Sequence, residues 1–122
     1  MKRIITLAAL VAASLTFSSP ALHAETYPAR PVRMVVPYAA GGGVDIVARA
    51  VGQKMATVLG QPVIVDNKPG ASTNIGMEAV AHAQPDGYTI MMASNSLATN
   101  ASLFPKLGFN PAKDFAPLAR VG

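Results

Sequence analysis

The chain has 122 residues, half of them hydrophobic, a formal charge of +4 and no cysteine. The missing cysteines exclude a disulfide framework, a thiolate nucleophile and a thiolate metal site. Its Lys and Arg residues are scattered singly, which excludes the clustered basic footprint that nucleic-acid binding needs.

Met1-Lys2-Arg3 is a short positive start, Ile4 to Phe17 is an uncharged apolar run, and Ser18 to Ala24 is more polar and ends in a small residue. That order is the pattern of a secretory signal. Residues 1–24 are predicted to be a signal peptide cleaved after Ala24, with Ala21 as the alternative because Leu22 fits the −3 position poorly. The apolar run falls short of the ~20 residues that span a bilayer. The protein is therefore expected to be exported. Cleavage would also remove His23, leaving His82 as the single histidine. A histidine metal cluster or a Ser-His-Asp triad is hard to build from one histidine, so no metal, no cofactor and no catalysis are expected.

Along residues 25–122, Pro31 to Pro37 is a β-branched run and reads as a strand. Ala40 to Gly43 is a turn. From Asp45 to Leu59, Ile46, Val47, Ala50, Val51, Met55, Val58 and Leu59 recur at helical spacing, with Arg49, Gln53 and Thr57 on the other side. Gly60 is placed to stop that helix. Pro62 to Asp66 reads as a second strand and Asn67 to Gly70 as a turn. Ser72, Thr73 and Asn74 are each competent to cap a helix running from Ile75 to about Ala83. Pro85-Asp86-Gly87 is a turn. Tyr88 to Ala93 reads as a third strand buried on both faces, and Ser94-Asn95-Ser96 as the cap of a third helix ending near Leu103 or Phe104. Alternating strands and helices call for an α/β fold with a parallel sheet and right-handed crossovers. Asn110 to Gly122 reads as a turn entering a new extended segment, so residues 25–122 are expected to be the N-terminal part of a longer domain.

In a parallel sheet, ligands bind at the carboxyl ends of the strands. Three loops should meet there: Pro37 to Asp45, Asp66 to Asn74 and Ala93 to Asn100. They are stocked with hydroxyls, amides and helix N-termini, which suit a carboxylate or phosphate. Gly41-Gly42-Gly43 either lets a ligand oxygen approach the backbone or simply makes a tight corner. Asp45 reads as a helix-start residue before a ligand contact, since an anion would not welcome a bare carboxylate beside it. Tyr38 could donate its hydroxyl or cover the cleft floor. Arg49 is either solvated or ties the helix to a neighbouring segment, and His82 reads as a surface residue. No Gly-x-Gly-x-x-Gly, no phosphate-binding Gly-x-x-x-x-Gly-Lys run and no Gly-x-Ser-x-Gly elbow occurs, which disfavours a nucleotide site or an exported α/β hydrolase.

Several ordered motifs carry a resemblance. They are Tyr27-Pro28-x-Arg30-Pro31-Val32-Arg33, Val36-Pro37-Tyr38-Ala39-Ala40-Gly41-Gly42-Gly43-Val44-Asp45, Val63-Ile64-Val65-Asp66-Asn67-Lys68-Pro69-Gly70-Ala71, Asn74-Ile75-Gly76, Pro85-Asp86-Gly87-Tyr88-Thr89 and Lys113-Asp114-Phe115-x-Pro117-Leu118. Together they resemble the opening of the Bug-type (TctC-like) receptors, the periplasmic solute-binding proteins of tripartite tricarboxylate transporters. The resemblance implies a two-lobed, type II periplasmic-binding-protein (Venus flytrap) fold, of which this chain holds most of the first lobe. It implies a monomer that captures a small carboxylate for membrane permease subunits; presentation of the ligand to a sensor kinase is the alternative. Carried onto this sequence, it points to Tyr38, Ala40, Gly41, Gly42, Gly43, Asp45, Ser72, Asn74, Ser94 and Asn95 as ligand-binding residues. Val44 stands where relatives commonly have Ser or Thr, and Ser72-Thr73 where they have a glycine pair. Both departures leave room for a less polar acid.

Overall fold

The computed structural model describes residues 26–121; the proposed signal peptide lies outside them. Three strands, β1 (Val32–Val36), β2 (Val63–Asn67) and β3 (Thr89–Met91), alternate with three helices, α1 (Gly43–Leu59), α2 (Asn74–Ala81) and α3 (Ser96–Leu103). A short 3-10 turn over Ala71–Thr73 leads into α2. The strand order is β2-β1-β3, with both pairings parallel. Val32 lies opposite Val63, and Met34 opposite both Val65 and Ile90.

With β1 in the middle, the chain leaves it in one direction to reach β2 and crosses back over it to reach β3. Right-handed crossovers then place α1 and α2 on opposite faces. Met34 and Val36 pack with Ala48 of α1, while Val35, fully buried, faces the other way. Alternation along an extended strand accounts for that division. The unbroken apolar run of β1 is thus the mark of a strand covered on both sides.

Helix α1 meets the sheet through a different stripe from the one its large apolar residues suggest. Ala48 and Gly52 are buried, with Val44, Val51 and Met55 packed against the core, whereas Ile46, Val47 and Val58 are exposed. Small residues let the helix axis approach the strands closely. The helix ends as expected: Gly60 adopts φ 67° and donates its N–H to Ala56 O at 3.0 Å.

Other expectations need correction. β3 is shorter than the predicted Tyr88 to Ala93 and only half-buried. Among the described residues it has a strand partner on one side only, so it lacks the double cover that its apolar sequence suggested. None of Ser72, Thr73 and Asn74 caps α2 through its side chain, nor does Asn95 cap α3. Residues 115–121, expected to enter an extended segment, form no strand or helix. Phe109 is buried and meets Phe115 edge-on.

At the end of the sheet where the strands begin, the segment just before β1 is clasped to the turn before β3. Arg30 lies 3.9 Å over the Tyr88 ring and pairs with Asp86, while Tyr27 donates its hydroxyl to Gly87 O. At the other end α2 crowds the sheet. A methyl group on Gly76 would stand 2.6 Å from Pro37 Cβ and 2.8 Å from Lys68 O, neighbours that include backbone and cannot swing aside. Gly76→Ala is therefore expected to destabilise the fold by about 1–3 kcal/mol. Urea unfolding read by circular dichroism measures it, and an unchanged midpoint would refute this packing.

Candidate functional site

The loops after β1, β2 and β3 all open at the carboxyl ends of the strands, and a web of polar side chains ties them together. At its centre is Asp45 in the first turn of α1, 2% exposed. Its Oδ2 accepts the Gly41 N–H at 2.8 Å and Arg49 Nε at 2.9 Å. Its Oδ1 accepts Asn67 Nδ2 at 2.9 Å. Asn67, last in β2, also donates to Tyr38 O and accepts from Arg49. Arg49 thus ties the helix to the end of β2, the second of its two readings. The donors hold the Asp45 carboxyl down from 3.8 to about 2, with the Arg49 bond the strongest influence, then the Gly41 amide, then Asn67, against the opposing pull of burial.

This arrangement sorts the glycine turn. Gly41 needs its glycine, since its φ is 82°, and its amide is committed to Asp45. The Gly42 amide closes the turn onto Ala39 O at 3.3 Å, leaving Ala40 exposed at its tip. Ile46 makes the first helical bond, to Gly42 O. The N–H groups of Gly43, Val44 and Asp45 therefore have no helical carbonyl to reach, and among the described residues no other acceptor meets them. Three adjacent donors at the positive end of a 17-residue helix form an anion-attracting surface. Because its carboxylate is bound by Gly41, Arg49 and Asn67, Asp45 sets no bare negative charge beside those donors. Val44, the residue lacking a hydroxyl, directs its side chain into the core.

Tyr38 is similarly occupied. Its hydroxyl lies 2.7 Å from Ser94 Oγ and 2.6 Å from Ser96 Oγ, and accepts the Ser94 N–H at 3.3 Å. One phenolic hydrogen and two lone pairs match three partners, so Tyr38 fastens the first loop to the third. Ser94 Oγ also reaches Asn95 Oδ1 at 3.2 Å. In the second loop, Ala71, Ser72 and Thr73 all have positive φ, and the buried Asn100 of α3 donates to Ser72 O and Asn74 Oδ1. Sequence reasoning singled out neither Asn67 nor Asn100. Asn67 carried a signal, a polar residue closing a strand at the ligand end; Asn100, polar within a helix, carried none. His82 is exposed, beyond the end of α2. Among the described residues no group of three His, Cys, Asp or Glu is placed to hold a metal.

The profile of the family described as "TctC: Tripartite tricarboxylate transporter family receptor" matches residues 47–122. The chain belongs to that family. It is a family of receptors, not of enzymes. Protein BugT of Bordetella pertussis is 38% identical over 124 residues, an alignment covering all of this chain and 38% of that protein. Among solved structures, periplasmic binding protein BugD is 48% identical with a TM-score of 0.72, over 75% of this chain and 30% of that one. MatC from Rhodopseudomonas palustris, solved with bound malate, is 43% identical with a TM-score of 0.65, over 75% of this chain and 31% of that one. The parallel sheet with flanking helices is thus the fold of periplasmic binding proteins. This TctC-family chain spans about a third of the length of the curated relatives it matches.

Proposed function

We propose that the protein is a periplasmic solute-binding receptor that takes a small organic anion, with a carboxylate seated on the amides that open α1. The observation that carries this reading is the trio of unpaired N–H groups at Gly43, Val44 and Asp45, beside an Asp45 carboxylate neutralised by Arg49 and two further donors. Malate bound to the related MatC supports a carboxylate as the ligand. Among the ten residues named from the sequence, Gly43 and Asp45 provide donors to the ligand, while the Gly41 and Gly42 amides hold the turn that Ala40 tips. Tyr38, Ser94 and Asn95 shape the facing wall, and Ser72 and Asn74 the third side.

Residues 1–24 are proposed as the export signal and residues 25–122 as the N-terminal part of a two-lobed receptor, whose second lobe would complete the cleft. Delivery of the ligand to permease subunits of a tripartite transporter fits the family. The reading requires no catalytic residue, no cofactor, no metal and no nucleic-acid partner, and treats the receptor as a monomer. Isothermal titration of the full-length receptor with malate, adipate, glutamate and the neutral diamide of malate tests it. Acids should bind and the diamide should not; equal binding of the diamide, or no binding by any acid, would refute an anion site.

A further inference from the structure

We propose that Asn100 is a positioning residue for the anion site, holding the Ala71–Thr73 turn in a left-handed conformation that these side chains disfavour. The three residues have φ values of 46°, 54° and 78°. A left-handed conformation crowds the Cβ of any L-residue, and a β-branched side chain such as Thr73 most of all. Such a backbone persists only where its surroundings impose it.

Asn100 is the group that imposes it. It is 3% exposed and sits on α3, far away in sequence. Its Nδ2 lies 2.7 Å from Ser72 O, 2.8 Å from Asn74 Oδ1 and 3.3 Å from Thr73 Oγ1. A backbone carbonyl can only accept, so the contact with Ser72 O fixes which end of the amide faces the turn. Two hydrogens serve the two shorter contacts, and the Thr73 hydroxyl shares one of them. Every acceptor lies within residues 72–74, where the chain passes from left-handed turn to right-handed helix at Asn74 (φ −61°). Ser94 and Ser96, one turn earlier on the same connection, grip Tyr38. The start of α3 therefore holds the first loop and its middle holds the second, so one helix sets the spacing of both.

The link to ligand binding rests on the anion-site reading above; the hold on the backbone does not. A double-mutant cycle on the full-length receptor separates them. It compares the parent, Asn100→Ala, the pair Ala71→Gly with Thr73→Gly, and the combination. Glycine adopts positive φ without help, so the melting-temperature drop caused by Asn100→Ala should be at least halved in the glycine background. Affinity for malate or adipate, as probes, should fall about tenfold in Asn100→Ala and recover to within about threefold in the combination. Asn100→Asp, which keeps the shape but not the donors, should behave like the alanine variant. Additive melting-temperature changes, or a parent-like Asn100→Asp, would overturn the proposal. If the parent binds neither probe while the cycle is coupled, the anion reading fails and the hold on the turn stands.

Discussion

Gly43→Pro in the full-length receptor is expected to weaken binding of a carboxylate ligand by roughly ten- to a hundredfold while leaving the melting temperature unchanged or slightly raised. Proline suits the first position of a helix, because its ring fixes a helical φ and the hydrogen it lacks has no carbonyl partner there. The preceding residue must be extended, and Gly42 already is, at φ −74° and ψ 166°. A Cβ on Gly43 would meet nothing within 4 Å. The substitution therefore deletes one donor and little else. A hydrogen bond to a charged group is worth that range in an equilibrium constant. Titration calorimetry reads the affinity and differential scanning calorimetry the stability. Undiminished affinity in a folded variant would remove the helix N-terminus from the site.

Asp45→Ala is expected to damage both quantities. It strands the Gly41 amide, Arg49 and Asn67 together, so the glycine turn, α1 and the end of β2 lose their common acceptor. Affinity should fall by at least about tenfold, because the amides are no longer held ready, and the melting temperature should fall with it. The effect has a pH signature. With its folded pKa pulled below the unfolded 3.8 to about 2, the ionised carboxylate stabilises the protein above 3.8. That contribution is lost as pH falls toward about 2. Asp45→Asn, which cannot ionise, should therefore trail the parent in stability at neutral pH and converge on it through that window. A constant gap between the two down to pH 2 would contradict the assignment.

The strands and helices were legible because burial imposes a period on the sequence. β1 announced itself by its apolar run, and α1 by its 3.6-residue spacing with Gly60 at its end. The face that α1 buries was not legible, because Ala48 and Gly52 contribute closeness rather than hydrophobic mass. The site was legible as three polar loops on strand ends, yet its internal economy was not. Nothing in Gly41-Gly42-Gly43 says that two of the three amides are spent within the turn and that the third joins those of Val44 and Asp45. Ser72 and Thr73 suggested helix caps, since hydroxyls usually serve there. Their left-handed backbone depends on Asn100, a contact that only the folded chain creates.

The sheet order bears on how such a chain could be made. Among the described residues no two strands form a hairpin: β1 pairs with β2 only across the whole of α1, and with β3 only across α2 as well. Loop closure of that span must precede any ladder contact, so a chain that has emerged only as far as α1 has no ladder to form. For a protein threaded unfolded through a membrane, as its proposed signal implies, this delay is useful. β1 gains its second neighbour only when β3 has reached the far side.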